Sequence, residues 1–248
     1  MSDTAIEIKN LTKTFAVRER TTDSLRDYIL NILRPKGKIR TIKALDDISI
    51  SIDKGEIFGV VGRNGSGKST LLNVILGSIK ADNGSILHTE GQVMRLALGM
   101  GFDPNLSGRD NIYINSSILG IRSKDIKDSI GDIMGFSGLA DFIDTPVKFY
   151  SKGMKSRLTF AIAMHADADI FLLDEFFGGV GDQNFKAKSK KIFDEKIKRG
   201  KTIVIVSHSP GVIKKYCERA VWIDKGKIVM MGKSKKVVNS YLDSEESK

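Results

Sequence analysis

Three short apolar runs punctuate the chain, at residues 57–61, 170–173 and 203–206. They are continuous rather than alternating. The first and third are rich in β-branched residues, and each is followed by loop-forming or charged residues. Runs of this kind, separated by helical patterns, predict parallel strands buried on both faces. Residues 6–15 and 42–52 predict strands of a flanking, mainly antiparallel sheet, and residues 221–230, broken by Asp224-Lys225-Gly226, predict a late hairpin. Between Arg109 and His165 the pattern is mostly helical, with Ser123 and Ser151 as N-caps.

Residues 18–43 interrupt the first sheet. Inside them Leu25, Tyr28, Ile29, Ile32 and Leu33 recur at helical spacing, with Ser24 as N-cap and Pro35 beyond the end. Arg18, Arg20, Arg26, Arg34, Lys36, Lys38 and Arg40 surround this stripe. Two readings stand: a surface helix packed on its own domain, or a helix facing a membrane interface or a partner subunit.

Strand ends matter because ligands of parallel sheets bind beyond the carboxyl ends. After residues 57–61 comes Gly62-Arg63-Asn64-Gly65-Ser66-Gly67-Lys68-Ser69-Thr70, matching G-x-x-x-x-G-K-[ST], and then a helix expected over 68–79. Glycines let the backbone wrap closely, so that N–H groups and a helix N-terminus face a nucleotide's phosphates. Lys68 is expected to reach the β- and γ-phosphates, and the Ser69 hydroxyl to ligate Mg²⁺. After residues 170–173 come Asp174 and Glu175. Asp174 is expected to hold Mg²⁺ through water, and Glu175 to act as general base on the attacking water. His208 follows the third run and is placed to hydrogen-bond the γ-phosphate. Ser151-Lys152-Gly153-Met154 precedes a helix expected over 155–166 and forms a second anion site.

Composition adds limits rather than identity. The chain has 248 residues, 41% apolar and 28% charged, enough for one large domain. No run approaches the ~18 apolar residues of a membrane span. The first ten residues lack the basic and apolar regions of a signal peptide. One cysteine, Cys217, excludes an internal disulfide. Forty basic against 30 acidic residues give +10. That charge suits polyanionic partners or simply a solvated surface.

The four elements, in this order and spacing, resemble the ATP-binding cassette family over residues 6–232. The resemblance implies an α/β P-loop NTPase with a RecA-like parallel core, an N-terminal antiparallel β-subdomain and a helical signature subdomain near 105–165. One nucleotide-binding domain would span 1–248, with a short tail at 233–248 and no room for a carbohydrate-binding domain. Residues 62–70 would be the Walker A loop, Asp174 and Glu175 the Walker B pair, and Ser151 to Met154 the signature. His208 would be the switch histidine and Asp182 the D-loop aspartate. Phe15 lies where an aromatic stacks on adenine, although it is equally readable as sheet core.

Tyr150-Ser-Lys-Gly-Met154, Val180-Gly-Asp182, the segment at 101–112 and the basic insertion look more narrowly like the branch that exports polysaccharides and polyol phosphates, such as O-antigen, capsule and teichoic acid. That likeness implies an ATPase using ATP and Mg²⁺ at the cytoplasmic face of the bacterial inner membrane. It also implies two cassettes packed head to tail, so that Ser151 of one meets the nucleotide held by Lys68 of the other. Two copies of an integral-membrane permease and a lipid-linked glycan substrate complete the expected system, and no nucleic acid is expected. The sequence departs from the family's usual Leu-Ser-Gly-Gly-Gln at Lys152 and Met154. It also has Leu98 where the Q-loop glutamine falls, its only glutamines being Gln92 and Gln183.

Overall fold

The computed structural model describes residues 3–18, 39–97, 101–174, 183–207 and 209–246. The first sheet is antiparallel and built from β1 (Thr4–Arg18), β2 (Ile39–Asp53) and β4 (Ile86–Thr89), in the order β2-β1-β4. β1 and β2 pair along their whole length, from Thr4 opposite Asp53 to Arg18 opposite Ile39. Both strands are longer than their apolar pattern predicted, because backbone pairing continues past the last buried residue. The insertion stripe at 24–35 lies outside the described residues.

The second sheet holds β3 (Ile57–Val61), β5 (Val93–Ala97), β6 (Ile170–Asp174), β7 (Thr202–Val206), β8 (Arg219–Asp224) and β9 (Lys227–Lys233). Its order is β5-β6-β7-β3-β8-β9, with parallel pairing except between β8 and β9. The three continuous apolar runs are thus the adjacent inner strands β6, β7 and β3. Their continuity has a direct cause. On β6, Ile170 and Leu172 pack into a core with the antiparallel sheet, while Phe171 and Leu173 pack into a core on the opposite face. A strand covered on both faces has no polar position to offer. The turn Asp224-Lys225-Gly226 joins β8 to β9 as expected, with Lys225 and Gly226 both at positive φ.

The described residues also form seven α-helices: α1 (Lys68–Ile75), α2 (Gly108–Ile118), α3 (Ser123–Ser137), α4 (Lys152–His165), α5 (Gln183–Lys198), α6 (Pro210–Tyr216) and α7 (Ser234–Glu246). α1 stops at Ile75, short of the expected 79. Gly77 takes φ 78°, its N–H donates to Val74 O, and the Ser78 N–H donates to Asn73 O, which together close the helix. α3 begins at Ser123 rather than being capped by it, since Arg122 occupies the N-cap without a side-chain bond. α2, α3 and part of α4 enclose a separate cluster around Ile112, Ile133, Leu139, Val147 and Leu158. α4 starts three residues before the expected 155, because Ser151 caps it. Lys152, Gly153 and Met154 therefore form its first turn and not a preceding loop.

Candidate nucleotide site

β3 ends at Val61 and α1 begins at Lys68, so the glycine-rich segment is the strand-to-helix turn on the carboxyl edge of the parallel sheet. Two of its glycines are sterically required. Gly62 has φ 153°, and a Cβ there would run into Ile223 O and come within 2.7 Å of Ser66 Oγ. Gly67 has φ 111°, and its Cβ would sit 2.6 Å from Ala44 O. Gly65, at φ 77°, faces open space, so any Cβ would meet nothing within 4 Å. The loop is thus pressed against β2 and β8 on its inner side and left clear on its outer side.

The donors converge there. Lys68 is only 7% exposed, and its Nζ donates to Gly62 O at 2.6 Å and Arg63 O at 2.8 Å. The ammonium is folded back over the loop it is expected to serve. α1 has Gly67 at its N-cap with no side-chain cap and no acidic residue in its first turn. Its N-terminal dipole is therefore not offset by a local carboxylate, a setting that favours an anion. The Ser66 hydroxyl is buried with no hydrogen-bond partner. A buried donor without a partner costs roughly 1–3 kcal/mol, which a phosphate oxygen or ordered water would recover. These features fit a nucleotide's phosphates.

Asp174 ends β6, next but one to β3 in the sheet, and receives a hydrogen bond at 2.5 Å from Arg95 of β5. Arg95 also donates to Asn73 of α1. This bridge ties the lysine-bearing helix to the carboxylate-bearing strand, and Arg95 and Asn73 were not among the residues the motifs singled out. The only signal was a charge inside the apolar run of β5. The Ser69 hydroxyl and the Asp174 carboxylate are hard oxygen donors, the set Mg²⁺ takes when nucleotide oxygens and water complete its shell. Among the described residues no three His, Cys, Asp or Glu side chains converge. Arg63, inside the loop, pairs at 2.6 Å with Glu245 of α7, and that carboxylate holds the guanidinium above its ordinary pKa.

Phe15 pairs with Ile42 on the β1–β2 ladder, half-buried, with Lys13 Nζ 5.5 Å from its ring. It belongs to neither buried core. Glu175, Asp182 and His208 lie outside the described residues, as does Leu98. Cys217 is buried, and burial pushes its thiol up to about 12, so it is no nucleophile.

The serine-led helix start is well formed. The exposed Ser151 hydroxyl accepts from the Met154 N–H at 3.2 Å. Tyr150, 5% exposed, donates to Phe142 O at 2.6 Å and anchors the turn. Around Gly153 a Cβ would meet only Ser151 Oγ, at 3.8 Å, so nothing in this chain demands glycine there. Ser151→Ala is expected to cost about 1 kcal/mol through the lost cap. In thermal denaturation that is a fall of roughly 2–4 °C in Tm; an unchanged Tm would mean the cap carries no weight.

Comparison with known proteins agrees with this geometry. The family model described as "ABC transporter" matches residues 45–178, more than half of the chain. The chain is 37% identical over 242 residues to the O-antigen export system ATP-binding protein RfbB of Klebsiella pneumoniae, covering 95% of this chain and 96% of that one. It is 37% identical over 238 residues to the teichoic acids export ATP-binding protein TagH of Staphylococcus epidermidis, covering 96% and 88%. Among solved structures, the dimeric ATP-binding cassette MJ0796 in a post-hydrolysis state with ADP and Pi superposes with a TM-score of 0.71 over 92% of this chain and 98% of that one. At 19% identity that likeness speaks for the fold. The chain belongs to the ABC transporter family, in the branch of ATP-binding subunits that holds the O-antigen and teichoic acid export proteins.

Proposed function

We propose that this ATPase powers export of a lipid-linked polysaccharide across the bacterial inner membrane, as a peripheral subunit on the cytoplasmic face. The observation that carries the reading is the joint placement of the Walker A loop after β3 and Asp174 at the end of β6, on one edge of one sheet, in a chain related to export ATPases. Among the described residues no helix is long and apolar enough to cross a membrane. The reading therefore assigns translocation to an integral-membrane permease, expected in two copies.

In this scheme residues 62–70 hold the phosphates of ATP through backbone N–H groups, and Lys68 swings from the loop carbonyls to the β- and γ-oxygens. Ser69, and Asp174 through water, would hold Mg²⁺, which would supply positive charge beside the phosphates. Glu175 draws the proton from the attacking water, and His208 donates a hydrogen bond to the γ-phosphate. Phe15 stacks on the adenine. Ser151, with Lys152, Gly153 and Met154, contacts the nucleotide held by a second copy of the chain, and Asp182 lies at the seam between the copies. The exposed Ser151 hydroxyl, and a Gly153 that no contact within this chain requires, support that assignment.

Glu175→Gln separates binding from chemistry. Turnover is expected to fall by about 10²–10⁴, the usual contribution of a general base, with equilibrium ATP binding retained. In cells lacking the chain, surface glycan should return with the parent sequence and not with the variant. A variant that turns over normally would remove Glu175 from its role; glycan reaching the surface without the chain would overturn the export reading.

A further inference from the structure

Arg95 sits in the middle of β5, a run otherwise apolar, with its Cα opposite Leu172 of β6. A guanidinium in such surroundings is costly unless its donors are met. Two are: one nitrogen donates to Oδ1 of Asn73, the other to Oδ2 of Asp174 at 2.5 Å. The side chains of the ion pair are only 16% and 15% exposed, and Nε of Arg95 is buried without a partner. The guanidinium therefore spans from the helix that opens with Lys68 and Ser69 to the strand that closes with Asp174. It also lines an apolar pocket of about 290 Å³ with Phe102, Ile118 and Ile162. Among the described residues, that flank offers the pair no other charged partner.

We propose that Arg95 is a positioning residue of the ATPase site, holding Asp174 while no metal is bound and competing with the divalent cation for that carboxylate. The proposal rests on the reading of Asp174 as a Mg²⁺-side residue. A carboxylate already held by an arginine is a poorer partner for a dication, or for the water through which the dication is held. Metal entry must draw Oδ2 off the guanidinium, leaving Arg95 on Asn73 alone, or hold two cations close together in a poorly solvated place. Both routes weaken metal binding. In the reverse direction, Arg95 keeps a largely buried carboxylate from standing without a countercharge between turnovers.

Mn²⁺ serves as the probe, with free Mn²⁺ counted by electron paramagnetic resonance in titrations of the purified chain at saturating non-hydrolysable ATP analogue. Arg95→Met should bind Mn²⁺ roughly three- to tenfold more tightly than the parent, by relief of like-charge repulsion. Its affinity for the analogue in EDTA should be unchanged. Its Tm deficit relative to the parent should be largest in EDTA and shrink with Mn²⁺ and analogue, whereas loss of a purely structural arginine would leave that deficit unchanged. Arg95→Lys should fall between, because an ammonium cannot hold both partners in one plane. Equal or weaker Mn²⁺ binding by Arg95→Met overturns the proposal. Asp174→Asn in the same titration separates the two layers. If it leaves Mn²⁺ affinity untouched, the reading of Asp174 falls and the competition with it; if it weakens Mn²⁺ while Arg95→Met does not tighten it, the competition alone falls. Should Arg95→Met fail to fold, Asn73→Ala, which frees the guanidinium's other anchor, decides the question by strengthening or weakening Mn²⁺ binding relative to the parent: weaker binding, as Arg95 turns wholly to Asp174, supports the competition, and stronger binding overturns it.

Discussion

Lys68→Ala is expected to lower ATP turnover by at least about 10³, close to 4 kcal/mol of transition-state stabilisation. The size follows from where the side chain sits. Its ammonium is nearly buried and already fixed by two loop carbonyls, at 2.6 and 2.8 Å. It has only to turn from those carbonyls to the phosphate oxygens, and a cation delivered into a screened site is worth far more there than in water. Alanine also leaves the carbonyls of Gly62 and Arg63 without that donor, so nucleotide affinity should fall together with turnover. Lys68→Arg should not restore activity, because a planar fork does not fit the socket of a point charge. Steady-state hydrolysis and equilibrium nucleotide binding check both statements. Turnover within tenfold of the parent would detach the loop from the chemistry.

The second large effect concerns shape rather than charge. Gly62→Ala is expected to lower Tm by about 10 °C or more, since a cost of several kcal/mol translates to roughly 2–4 °C per kcal/mol in a chain of this size. The alanine methyl would overlap the carbonyl of Ile223 and press on Ser66 Oγ, and φ 153° is itself strained for any L residue. The nearer neighbour is strand backbone, which cannot give way, and the other is a buried hydroxyl. Gly65→Ala is the control, with a positive φ of 77° but open space around it, so only a conformational cost applies. Calorimetry should rank the two variants in that order. Equal losses would mean that strain, not the clash, sets the effect.

Much of this was legible before any fold was known, and the reasons are physical. Residues 57–61, 170–173 and 203–206 read as inner strands because burial on both faces forbids polar positions, and the structure places them side by side. The phosphate-binding turn was legible because its glycines answer to backbone geometry, which leaves a mark in sequence. Boundaries were less so. α1 ends at Ile75 through a closure at Gly77 that was visible but competed with the apolar residues beyond it. Ser123 looked like a cap and is the first helical residue, since a cap depends on the φ and ψ of one position. Arg95 was illegible as part of the site. Its partners lie 22 and 79 residues away and meet it only once β5, β6 and α1 are assembled. The pairing of Arg63 with Glu245, 182 residues apart, was hidden for the same reason.

The tight seating of the phosphate-binding turn has a consequence for biogenesis. Its curve is moulded by Ala44 on one flank, by Ile223 on the other, and by the Gly226 N–H donating to Ser66 O at 2.9 Å. A ribosome-bound fragment ending before β8 lacks half of that mould, whatever helices it has formed. Capturing nucleotide thus certifies that the distant parts of the polypeptide have found one another, and the ligand rewards only the finished molecule.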